Sequence, residues 1–174
     1  MTKRRPIAIT GFMGCGKTEV ARCLAQRLNT EMTDLDELIT EREGRTAAQL
    51  IREEGETAFR TIETNSLKNL LERNPEGVIA LGGGAWIEAA NRHLLERAGA
   101  LSVWLDTPFE VCWKRIQAST EDRPLGRTEA EAQQRYLIRL PIYALARLRV
   151  KASGEEDPDN LAAIIATEMK RATH

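Results

Sequence analysis

The sequence predicts a three-layer α/β/α domain built on a five-stranded, mostly parallel sheet. Two observations carry this. Short apolar runs alternate with longer amphipathic stretches along the chain. The first apolar run also meets a glycine loop that opens into a helical pattern, GFMGCGKTEV at 11–20. In chain order, PIAIT at 6–10 is short and apolar, as a buried strand is, and 18–28 takes up a helical period behind the loop. TEMTDL at 30–35 is the second strand candidate, followed by a helix over 55–71. GVIAL at 77–81 runs apolar into three glycines, and 88–97 is amphipathic. ALSVWL at 100–105, then helices over 108–117 and 129–146, then LRVKAS at 148–153 and a helix over 158–171 complete the pattern. The linker-like stretches are short, ASTEDRPLGRTEA at 118–130 and SGEEDPD at 153–159, and no period of 20 to 50 residues repeats.

At 174 residues the chain has the size of one compact domain, and 42% apolar with 29% charged residues is ordinary globular composition. No apolar run approaches the roughly 20 residues of a membrane span. The opening MTKRRPIAIT leads into the glycine loop rather than a cleavage site, so a cytoplasmic protein, acting as a monomer, is expected. A net charge of −1 offers no general attraction for nucleic acid. Three separated cysteines and two histidines argue against a disulfide framework and against a zinc site.

Gly11, Gly14, Gly16, Lys17 and Thr18 fill every fixed place of G-x-x-x-x-G-K-[ST], at the strand-to-helix junction where that motif works. Its backbone N–H groups and the helix N-terminus point at phosphate oxygens. Lys17 is placed to reach the β- and γ-phosphates and the Thr18 hydroxyl to coordinate Mg²⁺. A nucleotide phosphate and Mg²⁺ are therefore the expected ligands. Cys15 is read as a small filler within this nucleotide cradle.

Such a loop alone leaves ATPase, GTPase, kinase and motor open. In TDLDEL, Asp34 and Asp36 stand two apart at the end of the second strand candidate, where i and i+2 share a face; a helix N-cap explains either Asp equally well. Arg60 and Glu63 are three apart on a helical pattern, the spacing of a solvated ion pair. Gly82, Gly83 and Gly84, ending an apolar strand, allow a ligand to approach the backbone closely. Arg139, in RLPIY, reads on its own as a surface residue of an amphipathic helix.

In this order GxxGxGKT, DLD, GE..FR..E, GGG, RPL and R-x-P-x-Y resemble shikimate kinase across nearly the whole chain. The resemblance implies a P-loop kinase fold with a substrate-binding segment at about 34–62 and a lid at about 118–130, within one domain over 1–174. It implies transfer of the ATP γ-phosphate to the 3-hydroxyl of shikimate, towards chorismate and the aromatic amino acids. By motif, Asp34 would hold hydrated Mg²⁺ beside Thr18. Asp36 would bind the shikimate hydroxyls and is the candidate base. Arg60 and Arg139 would clamp the carboxylate, and Gly82 to Gly84 would meet the ring hydroxyls. Arg123, in RPL, matches the lid arginine that reaches the phosphates. Arg115 resembles the adenine-stacking arginine, and Pro158 lies where the adenine pocket is completed.

The sequence departs from the family pattern at Glu19, where many members have a second hydroxyl residue, although the Glu19 backbone N–H can still serve the α-phosphate, and in a lid that runs on as Gly126-Arg127 and looks short. Two other readings compete with shikimate phosphorylation: a kinase of gluconate or a similar polyol, and a ligand-binding module without turnover.

Overall fold

The computed structural model describes residues 5–74, 76–120 and 128–171. Strand β1 (Ile7–Thr10) is followed by the glycine loop and helix α1 (Lys17–Leu28). Then come β2 (Met32–Asp34) and helices α2 (Leu35–Glu43), α3 (Ala47–Glu54) and α4 (Glu56–Arg73). Next are β3 (Val78–Ala80), a 3-10 turn (Ala85–Ile87), α5 (Ala89–Arg97), β4 (Leu101–Asp106), α6 (Phe109–Ala118), α7 (Glu129–Tyr143), β5 (Leu148–Lys151) and α8 (Pro158–Arg171).

The five strands pair in parallel in the order β2-β3-β1-β4-β5. Strands β1, β3 and most of β4 are buried, and apolar but for Thr10 and Ser102, as a sheet covered on both faces requires. The order decides where a site can form. All strands point the same way, so the segments leaving β1, β2 and β3 emerge together along one edge. Neighbouring strands lie about 4.8 Å apart, which puts the ends of β1 and β2 about 10 Å from each other with β3 between.

Two helices between β2 and β3 were not expected, and both have local causes. Asp34 caps α2, its Oδ1 accepting from the N–H groups of Asp36 at 3.0 Å and Glu37 at 3.2 Å, and Gly44 ends it in the left-handed region at φ 67°. Thr46 and Gln49 form a capping box at the start of α3. Asp36 is therefore a helical residue and does not share a strand face with Asp34. Among the described residues no helix is long and apolar enough to cross a membrane.

Candidate active site

The phosphate loop is folded back on itself around Lys17, which is nearly buried. Its ammonium donates to the carbonyls of Gly11 at 2.8 Å and Phe12 at 3.1 Å, with Cys15 Sγ 3.8 Å away. Gly14 takes φ 77°, and a Cβ there would stand 2.7 Å from the Cys112 carbonyl oxygen, so both the turn and its packing require glycine. Cys15 is a buried filler, as expected. Glu19 turns its carboxylate to Arg22, 2.8 Å away on the exposed face of α1, so its charge is spent along the helix surface.

The Thr18 hydroxyl donates to Asp34 Oδ2 at 2.7 Å while Asp34 Oδ1 caps α2. One carboxylate thus serves two partners, Oδ1 capping the helix and Oδ2 facing the loop. A hydroxyl and a carboxylate oxygen this close beside a phosphate cradle are hard oxygens of the kind that would suit hydrated Mg²⁺.

Three further elements converge on Gly82, Gly83 and Gly84. A Cβ on Gly82 would lie 2.7 Å from Asp36 Oδ1, and one on Gly84 would collide with the Arg60 guanidinium, so glycine is what lets these side chains reach the strip. Gly83 packs on Met13 of the phosphate loop, joining the two halves of the site. Its carbonyl accepts from Arg139 Nη1 at 3.0 Å and the Tyr143 hydroxyl at 2.9 Å. Arg139 is only 6% exposed, which corrects its reading as a surface residue: the inward face of α7 carries it under the strip.

Arg60 does pair with Glu63, at 2.7 Å, and more loosely with Glu56 at 3.4 Å, but the Arg60–Glu63 pair is buried rather than solvated. Beside the strip a cavity of about 610 Å³ is lined by Arg60, Gly84, Glu88, Arg135, Ile138 and Arg139 among others. Asp36 and Met13 meet the same strip at Gly82 and Gly83. Arg135 was not singled out from sequence, and Glu63 was read there only as a solvated partner of Arg60. The i,i+4 spacing of Arg135 and Arg139, which puts both on one helix face, was the available signal.

Glu63 is fully buried, and burial, only partly offset by Arg60 and reinforced by the charges of Asp36 and Glu88, pushes its carboxyl up to about 7. The folded chain thus holds a proton that the unfolded chain has already released above about 4.5, and stability falls as pH climbs from there through about 7. In Glu63→Gln that part of a stability-against-pH curve, measured by urea unfolding, is expected to flatten; an unchanged slope would remove Glu63 as its source.

Arg115 ties the loop to the segment after β5, donating to Gly14 O and Gly154 O, each at 3.2 Å. Pro158 opens α8, downstream of that Gly154 bond. Arg123 and most of the expected lid segment, 121–127, lie outside the described residues.

Comparison with known proteins bears on this geometry directly. A family model described as shikimate kinase matches residues 13–170. A shikimate kinase of Thermobifida fusca is 40% identical over 97% of both chains, and one of Geobacter metallireducens 37% identical over 92% of this chain and 89% of that one. The solved shikimate kinase of Acinetobacter baumannii in complex with shikimate superposes with a TM-score of 0.90 at 33% identity, covering 98% of this chain and 95% of that one. A family model that spans residues 13–170, with relatives aligned over nearly their whole length, leaves one assignment: this chain belongs to the shikimate kinase family.

Proposed function

We propose that the chain transfers the γ-phosphate of ATP to the 3-hydroxyl of shikimate, giving shikimate 3-phosphate and ADP, a step towards chorismate and the aromatic amino acids. The observation that carries this reading is the convergence of Asp36, Arg60 and Arg139 on one glycine strip that packs against the phosphate loop. An acceptor bearing a carboxylate and ring hydroxyls matches that chemistry. Guanidinium groups take the carboxylate, and a carboxylate with close backbone takes the hydroxyls.

The steps follow from position. Arg60, held by Glu63, and Arg139, held by Gly83, fix the acceptor by its carboxylate and turn its hydroxyl towards the loop. Asp36 accepts the hydroxyl proton as the new O–P bond forms and the bond between the γ-phosphorus and the bridging oxygen breaks. Lys17 leaves its two carbonyl partners for the β- and γ-phosphates and neutralises charge there as it builds. The loop N–H groups, from Gly14 through Glu19, hold the remaining phosphate oxygens. When bound, Mg²⁺ would be held by Thr18 and, through water, by Asp34, and would neutralise phosphate charge. Arg115 lies at the nucleotide side, and Arg123 is assigned to the phosphates from the family motif. The enzyme is read as a cytoplasmic monomer that binds neither nucleic acid nor membrane.

The test is a coupled ADP-release assay with Mg²⁺-ATP and shikimate, gluconate or no acceptor. Release that depends on shikimate is the expected outcome. Release only with another polyol would move the substrate, and ATP binding without release would leave a binding module. In the same assay Arg139→Ala is expected to raise the shikimate KM by about 10- to 100-fold, the cost of a lost charged hydrogen bond, with little change in the KM for ATP.

A further inference from the structure

The acceptor cavity holds one more cation than the motifs account for. Arg135 lies one turn before Arg139 on α7 and lines the same cavity as Arg60 and Arg139. Its neighbours there already have partners: Arg60 has Glu63 and Glu56, and Arg139 has Gly83 O. Arg135 Nε, by contrast, is buried with no hydrogen-bond partner among the described residues. Like charges at i,i+4 repel, and the charges of both Arg135 and Arg60 add to burial in holding Arg139 below the usual arginine range.

Three guanidinium groups line this cavity beside the carboxylates of Glu56, Glu88 and Glu131. With Glu56 on Arg60, the Arg135 guanidinium has no ion pair among the described residues, and an anionic acceptor would supply one. The nearest acidic residue on the same helix, Glu131, spends Oε2 on the Thr128 N–H at 3.2 Å in its capping box.

We infer that Arg135 is a specificity-determining residue of the acceptor pocket, donating to the acceptor's carboxylate alongside Arg60 and Arg139. This rests on the acceptor reading given above. It makes the pocket more demanding of an anionic acceptor than a two-arginine clamp would be, because a neutral ligand offers the Arg135 guanidinium no charge to pair with. Its planar fork suits a carboxylate, which an ammonium serves less well.

The experiment compares shikimate with its methyl ester, as substrate or competitive inhibitor, in the wild type, Arg135→Gln, Arg135→Lys and Arg139→Ala. Arg135→Gln is expected to raise the KM for shikimate at least tenfold, to leave the KM for ATP unchanged, and to bind the ester as the wild type does. Arg135→Lys is expected to fall between, with a rise of about threefold or more. An unchanged KM for shikimate, or an equal loss for acid and ester, would overturn the inference. If Arg135→Gln does not fold, an unchanged KM in Arg135→Lys overturns it alone. Arg139→Ala separates the two claims. If it discriminates acid from ester and Arg135→Gln does not, only Arg135 is misassigned. If neither discriminates, the carboxylate pocket itself is wrong and the inference falls with it.

Discussion

Lys17→Ala is expected to lower kcat by roughly 10²- to 10³-fold, the size of effect seen when a preorganised donor to a developing anion is removed. The effect comes from where the ammonium is held. It is nearly buried, with bonds to the Gly11 and Phe12 carbonyls at 2.8 and 3.1 Å, inside a loop whose backbone is shaped for phosphate. A charge in a site that excludes water acts through a lower effective dielectric than one in solvent. It exchanges those two carbonyls for phosphate oxygens when the nucleotide binds, so it is in position by the moment of transfer. Alanine removes the charge and leaves the cradle. Steady-state kinetics at saturating ATP and shikimate test this, with thermal unfolding as the check on the fold. A kcat within tenfold of wild type would remove Lys17 from transition-state stabilisation.

Asp36→Asn is expected to lower kcat by about 10²- to 10⁴-fold while sparing ATP affinity, the range attributed to a positioned proton acceptor. Asparagine keeps the volume that fits beside Gly82, where a Cβ would stand only 2.7 Å from Asp36 Oδ1, so the packing is retained and the basicity is lost. Isothermal titration of ATP should give a Kd within about twofold of wild type. A second signature comes from Glu63, whose carboxyl is held up partly by the charge of Asp36. Neutralising Asp36 should bring the Glu63 transition down. Near-normal turnover in Asp36→Asn would move the base elsewhere.

The strands and the phosphate loop were legible because their signals are local. Each of the five strand candidates overlaps an observed strand, and the glycine loop sits at the β1-to-α1 junction as the motif requires. Helices α2 and α3 were missed, although the chain spells out their caps: Asp34 with two amides to accept, and Thr46 with Gln49. In sequence the cap at Asp34 weighs evenly against a strand face shared with Asp36, so no helix follows from it. Arg139 was legible only through the family motif, because its burial depends on Gly83, 56 residues away in sequence. Arg135 could be tied to Arg139 by its i,i+4 spacing, but no local rule says which face of α7 turns inward.

The Gly83 carbonyl has a consequence of its own. It accepts two hydrogen bonds, from Arg139 and from Tyr143, which occupy both of its lone pairs and fix the orientation of the following peptide. Glycine is ordinarily the residue with the most backbone freedom to lose on ordering. Here that freedom is already spent in the folded chain, before any acceptor arrives. The strip therefore behaves as a rigid gauge: it admits ligand atoms as near as glycine allows, yet cannot bend to suit one of the wrong shape, so an ill-fitting polyol meets an unyielding wall.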